Sequence, residues 1–291
     1  MRLFCFGFGY SARALAAQLP AHDRELAGTS REPAARAMPD GVAHFAFDGR
    51  TPLGTQGRQL LRRASHILLS IPPTADGDPV RALHTEDIVA AQGCRWIGYL
   101  SSTGVYGDHQ GAWVDEATPA RPRTARARRR LAAERAWQAL AERHGLPLHI
   151  FRLAGIYGPG RNAYTALKSG RAHRIVSPGH VSSRIHVADL AAVLLASMAQ
   201  PRPGAVYNVC DDRPAPPADV VAYAAARMGV APPPLMTPKE AGLSAFARSF
   251  YGESRRVSNR RIHDELGVRL RYPDYCAGLD ALWETEVAGG T

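Results

Sequence analysis

The feature that most constrains the fold of this chain is a glycine-containing turn at its start. An apolar run over residues 1–6 breaks into Gly7-Phe8-Gly9-Tyr10-Ser11-Ala12, and a helical pattern of alanine and leucine follows. A strand, a tight glycine turn and a helix in this order are typical of the phosphate-binding turn that opens a parallel α/β sheet. The sequence therefore predicts a strand–helix unit with an anion site at the helix N-terminus.

Each residue of this turn has a physical role in the predicted site. Gly7 permits the tight turn, and Gly9 lets the backbone approach a pyrophosphate. Ala12, where a third glycine often stands, is small enough for close packing of helix and strand. The N–H groups and the dipole of the helix then face the anion, so we assign Tyr10 and Ser11 to the same site.

Strand-like runs alternate with helical patterns along the first 210 residues. After the first strand, the predicted strands cover residues 25–29, 42–47, 66–71, 96–101, 148–153 and 205–209. Such alternation argues for a parallel sheet that is covered by helices on both faces. The predicted fold class is α/β, a doubly wound parallel sheet. Proline-rich pieces at 201–203, 214–217 and 232–234 are interpreted as loops of a smaller C-terminal lobe.

The end of the second strand indicates which dinucleotide the chain binds. In such folds an acidic residue at this point binds the ribose hydroxyls of NAD, but here the strand ends in Gly28-Thr29-Ser30-Arg31. We expect Ser30 and Arg31 to hold a 2′-phosphate, with Arg13 helping, and therefore favour NADP while NAD stays possible. The alternative interpretation of Arg31 is a solvated loop charge.

Two further residues are assigned to the cofactor. Asp48 follows the third predicted strand, where it is placed to contact the adenine amino group. Its alternative role is that of a turn residue before Gly49, and both interpretations stay open. Ser70, in the fourth predicted strand, is assigned to the cofactor site as well.

The composition of the chain limits the binding partners and the cellular location that we expect for it. The chain of 291 residues has no stretch of 18 apolar residues and no signal-peptide pattern, so we expect no membrane partner and a cytoplasmic location. Its four cysteines, Cys5, Cys94, Cys210 and Cys276, lack metal-ligand spacing and are expected to be reduced thiols without a metal. The net charge of +10 fits an anionic small molecule better than nucleic acid, because the arginines are spread along the chain without a nucleic-acid-binding motif.

Several later segments match one family. Residues 101–107 resemble the SSxxVYG segment, residues 152–160 the RxxxxYGPG segment and residues 184–190 the IHVxDLA segment of extended short-chain dehydrogenases/reductases, the NAD(P)-dependent epimerase/dehydratase family, and Tyr207-Asn208-Val209 resembles its last core strand. Together with the glycine turn, these segments cover most of residues 1–210.

This resemblance implies a division of the chain. Residues 1–160 are expected to form a Rossmann-like NAD(P)-binding core. Residues 161–187 and 211–291 are expected to form a small substrate lobe, while residues 188–210 return to the core sheet. The usual substrates of the family are nucleotide-sugars. The partner expected here is thus a small anionic or nucleotide-sugar-like molecule, and both a monomer and a homodimer stay open.

The resemblance also assigns catalytic positions, and one of them is occupied by the wrong residue type. Ser102 corresponds to the hydroxyl residue that hydrogen-bonds the reacting group of the substrate. Arg130 stands at the lysine of the family's YxxxK helix, where it can still bind the ribose, and Arg126 stands at the proton-transferring tyrosine. An arginine keeps its charge at working pH and is a poor general acid or base.

Substrate contacts are assigned on the same basis. Tyr106, Tyr157 and Arg184 are the predicted substrate residues. The stretch 255–262, Arg-Arg-Val-Ser-Asn-Arg-Arg-Ile, resembles the substrate lobe of an atypical branch that lacks the tyrosine. Its arginines either meet a phosphorylated or nucleotide substrate or are surface charges.

Two functions from different classes fit these residues. The first is an NADP-binding oxidoreductase or nucleotide-sugar epimerase/dehydratase-like enzyme with unusual acid/base chemistry. The second is a non-catalytic NADP-binding regulator or scaffold, which the missing tyrosine favours. Binding of nucleic acid through the arginine-rich helix is a third and less favoured hypothesis.

Overall fold

The computed structural model describes residues 1–20, 22, 24–33, 38–243 and 251–287. The elements of the first half are β1 (Arg2–Phe6), α1 (Tyr10–Gln18), β2 (Glu25–Ser30), β3 (Val42–Ala46), α2 (Thr55–Arg62), β4 (His66–Leu69), α3 (Pro79–Val89), β5 (Trp96–Ser102), a 3₁₀ turn (Thr103–Tyr106), β6 (Trp113–Val114) and α4 (Ala125–His144). Those of the second half are β7 (Leu148–Leu153), β8 (Gly155–Tyr157), α5 (Ala163–Lys168), β9 (Arg174–Ile175), β10 (Arg184–His186), α6 (Val187–Ala199), β11 (Val206–Val209), α7 (Pro217–Arg227), β12 (Leu235–Met236), β13 (Arg256–Val257), α8 (Arg260–Leu266), α9 (Tyr275–Leu282) and a π-helical turn (Trp283–Val287).

Seven strands form one parallel sheet in the order β3-β2-β1-β4-β5-β7-β11. This confirms the predicted fold class, and each of the seven predicted strands is present. The fourth strand ends at Leu69, two residues before its predicted end at Ile71. The hydroxyl of Ser70 donates to the carbonyl oxygens of Phe6 and Gly7, which ties the chain to the neighbouring glycine turn where the strand stops.

Strict alternation along β1 explains why both faces of the sheet are covered. Leu3 and Cys5 point to one face, where α1, α6 and α8 supply the apolar partners. Phe4 and Phe6 point to the other face, where residues of α2, α3 and α4 pack. Because the side chains of residues 3–6 are all buried, this part of β1 is a continuous apolar run, as expected for a parallel strand with helices on both sides.

Short strand pairs and helices lie outside the central sheet. β8 pairs with β10, β6 with β13 and β9 with β12, in each case in parallel. A separate apolar cluster joins α5, α7 and α9 through Tyr164, Ala224 and Leu279. The division of the chain at residues 160, 187 and 211 stays a prediction, and residues 244–250 and 288–291 of the predicted lobe lie outside the described residues.

Within the described ranges, no helix is both long and apolar enough to span a bilayer. All four cysteines are free. Burial raises the pKa of the Cys94 thiol to about 11, so this group is protonated at neutral pH.

Three of the buried histidines have a strongly lowered pKa. His66, His149 and His186 are at most 4% exposed, and burial lowers the pKa of each to about 4. The Nε2 atom of His149 accepts a hydrogen bond from the backbone N–H of Arg202 at 2.8 Å, a bond that a protonated ring cannot accept. The folded chain therefore requires this ring to be neutral.

Stability is expected to fall in acid because of these rings. A histidine of the unfolded chain takes up a proton near pH 6.5, whereas His149 of the folded chain does so only near pH 4. Its contribution is thus present above about pH 6.5 and is lost as the pH falls toward 4. His149→Gln keeps an acceptor for Arg202, so between pH 7 and pH 5 it should remove up to about 2 kcal/mol of the pH-dependent loss.

The measurement is the free energy of urea unfolding of both proteins at pH 7 and pH 5. Asp211, whose pKa burial raises to about 8, acts in the opposite direction and is unchanged by the substitution. The difference between the two proteins therefore isolates His149. Equal pH dependence of native chain and variant would contradict the assignment.

Candidate active site

A cavity of about 870 Å³ opens at the carboxyl ends of the central strands. It lies where the strand order reverses, between β1, which continues toward β2, and β4, which continues toward β5. Ligands of open parallel sheets bind in the crevice at such a switch point. The turn after β1, the ends of β4, β5 and β7, the start of α4, and segments 180–183 and 251–257 line the cavity.

The glycine turn has the geometry that its sequence predicts. Gly7 has a φ of +86°, and a Cβ atom built on it would lie 2.7 Å from the hydroxyl of Ser70. Its backbone N–H donates to the hydroxyl of Thr29 at 2.9 Å. Phe8 packs on the backbone of Gly28, where a built Cβ would lie 2.5 Å from the phenyl ring. These contacts hold the turn against β2 and against the residue that follows β4.

The helix after this turn presents its N-terminus to open space. Gly9 is the N-cap of α1, no side chain caps it, and a Cβ built on it would have no atom within 4 Å. The N–H groups of a first helical turn have no acceptor inside the helix, so they and the dipole favour an anion here. Tyr10 donates to the carbonyl oxygen of Pro159 at 3.0 Å, and Ala12 is fully buried against the sheet. This arrangement fits a pyrophosphate.

At the end of β2, the structure adds His44 to the residues that the sequence predicted for the phosphate site. The hydroxyl of Ser30 hydrogen-bonds Nε2 of His44, on β3, at 2.8 Å. Burial and the nearby charge of Arg13 both lower the pKa of His44, so Arg13, Ser30 and His44 converge. Arg31 is exposed directly after β2. A period-two pattern marks His44 only as a strand residue, which is why its role was not visible in the sequence.

Asp48 lies in a turn. Its Oδ1 accepts hydrogen bonds from the backbone N–H groups of Arg50 at 2.8 Å and Thr51 at 3.1 Å, and these bonds lower the pKa of the carboxyl. The turn interpretation therefore describes what this side chain does in the folded chain. The adenine contact stays a prediction.

The two predicted catalytic residues line the same cavity. The Oγ atom of Ser102 accepts a hydrogen bond from the N–H of Gly104 at 3.1 Å, which leaves the hydroxyl hydrogen to be donated to a ligand. Arg130 is buried and donates from Nη1 to the carbonyl oxygen of Leu100 at 2.9 Å and to the hydroxyl of Tyr99 at 3.1 Å. Its guanidinium is thus held rigidly at the floor of the cavity.

Arg126, Arg130 and Arg161 form an arginine cluster in the cavity. Burial lowers the pKa of Arg126, and the charges of Arg130 and Arg161 lower it further. The guanidinium of Arg161 lies 5.8 Å from the ring centroid of Tyr10, next to the glycine turn. Cations brought together in a recess favour the binding of an anion there.

Four further side chains line the cavity, and we call them the polar wall: His180, Tyr251, Glu253 and Arg255. Arg255 pairs through Nη1 with Oε2 of Glu253 at 2.9 Å and donates to the carbonyl oxygen of Gly107 at 2.6 Å. The rings of His180 and Tyr251 are in contact, with centroids 5.6 Å apart. Sequence reasoning pointed to Arg255 alone, because the other three belong to no motif.

The remaining arginines of residues 255–262 do not line the cavity. Arg256 donates to the carbonyl oxygen of Gly111, Arg260 pairs with Asp264 at 2.9 Å, and Arg261 pairs with Glu265. For these three, the interpretation as structural or surface charges is the one that fits.

The predicted substrate residues lie elsewhere. Tyr106 is fully buried, where its hydroxyl donates to Oδ1 of Asn208 at 2.7 Å and accepts from Nη1 of Arg152 at 3.1 Å. Tyr157 and Arg184 line a neighbouring cavity of about 230 Å³. Of the residues assigned from the sequence, those that the main cavity brings together are Gly9, Tyr10, Ser11, Ser70, Ser102 and Arg130. No group of three potential metal ligands occurs among the described residues.

A buried ion pair supports the floor of the cavity. Arg152 on β7 donates from Nη2 to Oε2 of Glu134 on α4 at 2.9 Å, and the hydroxyl of Ser101 donates to the other carboxylate oxygen. Burial opposes the charge of Arg152, but the bonds to Glu134 outweigh this effect and hold the pKa of the guanidinium above its usual value. Ser101 precedes the predicted catalytic Ser102, so the pair fixes the strand end that carries it.

Comparison with known proteins agrees with this architecture. Residues 80–210 match the model of the NAD dependent epimerase/dehydratase family. Protein YeeZ of Escherichia coli (strain K12) is 28% identical over 282 residues, which are 92% of this chain and 95% of that protein. The solved structure of a functionally unknown conserved protein from Silicibacter pomeroyi DSS is 50% identical, with a TM-score of 0.87 over 97% of this chain and 98% of that one. The structure of MoeE5 in complex with UDP-glucose and NAD is similar in fold, with a TM-score of 0.79 at 21% identity over 100% of both chains.

Removal of the buried carboxylate should destabilise the chain strongly. Glu134→Ala leaves the guanidinium of Arg152 buried without its partner, so we expect a loss of about 3–5 kcal/mol in the free energy of unfolding. Glu142→Ala, an exposed position on the same helix, is the matched control and should change it by less than about 0.5 kcal/mol. Urea unfolding measures both, and equal effects would show that the ion pair does not support the fold.

Proposed function

We propose that this chain, whose residues 80–210 match the model of the NAD dependent epimerase/dehydratase family, is an NADP-binding oxidoreductase or nucleotide-sugar epimerase/dehydratase-like enzyme of that family. One observation carries the proposal: the uncapped N-terminus of α1 and Ser102 line the same cavity at the switch point of the sheet. A dinucleotide and a small substrate therefore have room to meet next to a hydroxyl that can donate a hydrogen bond.

The residues present fit a nicotinamide dinucleotide. Gly9 and Ser11 would hold the pyrophosphate through backbone N–H groups, and Arg130 would hold the nicotinamide ribose. When bound, the nicotinamide supplies the site that accepts or returns a hydride. We propose NADP as the preferred form, because Arg13 and Ser30 converge where a 2′-phosphate would lie and no carboxylate ends β2.

The charge of the cavity supports an anionic substrate. Among the described lining residues, Glu253 is the one carboxylate, and it is paired with Arg255, while the three arginines of the arginine cluster also line the cavity. The positive charge of these arginines favours a ligand with phosphate or carboxylate groups. MoeE5 binds UDP-glucose together with NAD. We propose a nucleotide-sugar-like or other small anionic substrate for this chain.

Ser102 would polarise the reacting group. Its oxygen accepts from the N–H of Gly104, so its hydrogen is oriented for donation to a hydroxyl or carbonyl oxygen of the substrate. Arg126, at the position of the family's tyrosine, stays protonated and stabilises negative charge without exchanging a proton.

Arg126, at the position of the family's tyrosine, also favours a second function. A chain that binds NADP but has Arg126 in place of the tyrosine can serve as a non-catalytic regulator or scaffold. The two functions differ in one observable: turnover of NADPH with a substrate requires the enzyme, whereas tight and saturable binding of NADP without turnover is all that a regulator needs.

The organisation of the chain follows the same proposal. Residues 1–160 and 188–210 would bind the cofactor, and residues 161–187 and 211–291 would bind the substrate. We further propose a cytoplasmic location, where NADP and nucleotide-sugars are both found. Monomer and homodimer are both compatible with the site.

Preference for NADP depends on Arg31 in this proposal. Arg31→Ala removes a charge-assisted bond to the 2′-phosphate, so the dissociation constant for NADP⁺ should rise about tenfold, while that for NAD⁺ should change less than about twofold. Isothermal titration calorimetry with both nucleotides measures this. Arg63→Ala, at the far end of α2, is the control for loss of one positive charge. Equal affinity of the native chain for NAD⁺ and NADP⁺ would overturn the phosphate assignment.

Turnover depends on Ser102. Ser102→Ala removes a donor to the reacting oxygen, so NADPH oxidation with the best substrate from a panel of nucleotide-sugars and carbonyl compounds should fall about 100-fold in kcat, with NADP⁺ affinity unchanged. Ser169→Ala, an exposed serine at the end of α5, is the control. Undiminished turnover would remove Ser102 from the mechanism, and absence of turnover in the native chain across the panel would favour the regulator.

A further inference from the structure

The polar wall is the part of the cavity that the proposed function leaves without a role. Within it, the rings of His180 and Tyr251 are in contact, and Glu253 and Arg255 form an ion pair. All four come from residues 180–255, remote in sequence from the glycine turn and from Ser102. They therefore form a second surface of the same recess, built independently of the family's catalytic helix.

Two polar atoms of this wall are buried without a partner. Nδ1 of His180 and Oε1 of Glu253 have no hydrogen bond among the described residues. His180 is 5% exposed, and the Glu253 side chain is 9% exposed. Nearly all buried polar atoms of folded proteins are hydrogen-bonded, so two unsatisfied atoms in one cavity wall point to groups that a ligand supplies.

The polar wall offers hydrogen-bond acceptors, so it favours a ligand that carries hydrogen-bond donors. Arg255 is paired with Glu253 and donates a hydrogen bond to the carbonyl oxygen of Gly107, so its positive charge is balanced by a carboxylate on this side of the cavity. The remaining oxygen of a carboxylate only accepts hydrogen bonds. A carboxylate and an imidazole together suit the hydroxyl groups of a sugar, whereas the arginine cluster suits its phosphate.

The wall reaches the neighbourhood of Ser102. A Cβ atom built on Gly104 would lie 3.3 Å from Oγ of Ser102 and 3.9 Å from Nη2 of Arg255, which places the Arg255 guanidinium beside the turn that carries the serine. Burial and the charge of Arg255 lower the pKa of His180, partly offset by Asp108, so its ring is neutral at neutral pH. A neutral imidazole can accept a proton.

We propose that His180 exchanges the proton of the reacting substrate hydroxyl, in place of the tyrosine that this chain lacks, and that Glu253 binds a neighbouring hydroxyl of the same sugar. The inference rests on the proposed function, because it assigns a role within the same cavity. Tyr251 and Arg255 act as positioning residues: Tyr251 packs on the imidazole, and Arg255 holds Glu253.

The proton step balances as an alcohol oxidation. The hydroxyl O–H bond breaks, and its proton forms an N–H bond on the imidazole of His180. The electron pair left on oxygen would become the second bond of the carbonyl as the hydrogen on the same carbon leaves with its own electron pair, and the oxidised nicotinamide of the proposed function would be the acceptor of that hydride. In the reverse direction, the imidazolium returns the proton to the new hydroxyl.

The test follows the ring of His180 by NMR in the full chain. Protein labelled with ¹⁵N-histidine is saturated with NADP⁺, and the ring signals of His180 are assigned from their loss in His180→Gln. UDP-glucose and UDP are then added separately. UDP-glucose should shift the His180 signals, while UDP, which carries the diphosphate without the sugar, should leave them in place.

Variants provide the second readout. Glu253→Gln should raise the dissociation constant of UDP-glucose about tenfold and leave that of UDP within about twofold. His180→Gln should leave NADP⁺ binding unchanged, and His173→Gln, outside the cavity, is the matched control for both measurements. Thermal unfolding of each variant verifies that the fold is kept.

The outcomes separate this inference from the proposed function. Failure of the native chain to bind NADP⁺ overturns the proposed function and the inference with it. If NADP⁺ binds, the inference alone is overturned by any of three results: UDP-glucose does not bind, UDP shifts the His180 signals as much as UDP-glucose does, or Glu253→Gln weakens both ligands equally.

Discussion

The buried ion pair between Arg152 and Glu134 is the interaction on which the site depends. It joins β7 to α4, and through the hydroxyl of Ser101 and the phenol of Tyr106 it also joins the end of β5 and the turn that follows. Burying two charges is expensive unless their remaining hydrogen-bonding positions are filled, and here the strand ends fill them. Because Ser101 and Ser102 point to opposite faces of a strand, fixing the first against the ion pair presents the second to the cavity.

The same ion pair decides which residues of α4 reach the ligand. Positions four apart lie one above the other on a helix, so a helix held at Glu134 presents Arg130 and then Arg126 along one stripe. The two arginines of this stripe line the cavity, whereas Arg128 and Arg129 lie outside its lining. Along this stripe, α4 therefore presents two guanidinium groups and no phenol to the cavity.

The features that a local sequence pattern encodes, such as the strands and the glycine turn, could be predicted. The contacts between residues that are far apart in the sequence could not. Continuous apolar runs between helices indicated the parallel sheet, and the positive φ of Gly7 explains why its turn was recognisable. Tyr106 was misleading because an aromatic residue inside a motif resembles a ligand contact, yet Arg152, 46 residues later, buries it. His180 and Glu253 stand 73 positions apart and converge only through the packing of the C-terminal part on the sheet, which no short-range period encodes.

Arg126, at the position that the sequence resemblance assigns to the family's tyrosine, changes how the proposed enzyme would work. A guanidinium lowers the energy of negative charge on an oxygen beside Ser102, but it does not take up or release a proton at working pH. In the proposed enzyme, the group that moves the proton would have to come from outside α4, and within the described lining the titratable candidates lie on the polar wall and at Tyr10. Burial raises the pKa of Tyr10 to about 12, far from neutrality, while His180 titrates below its usual range. In the proposed enzyme, acid/base competence would therefore depend on how the C-terminal part of the chain packs on the sheet, because that packing, and not α4, brings the imidazole of His180 into the cavity lining.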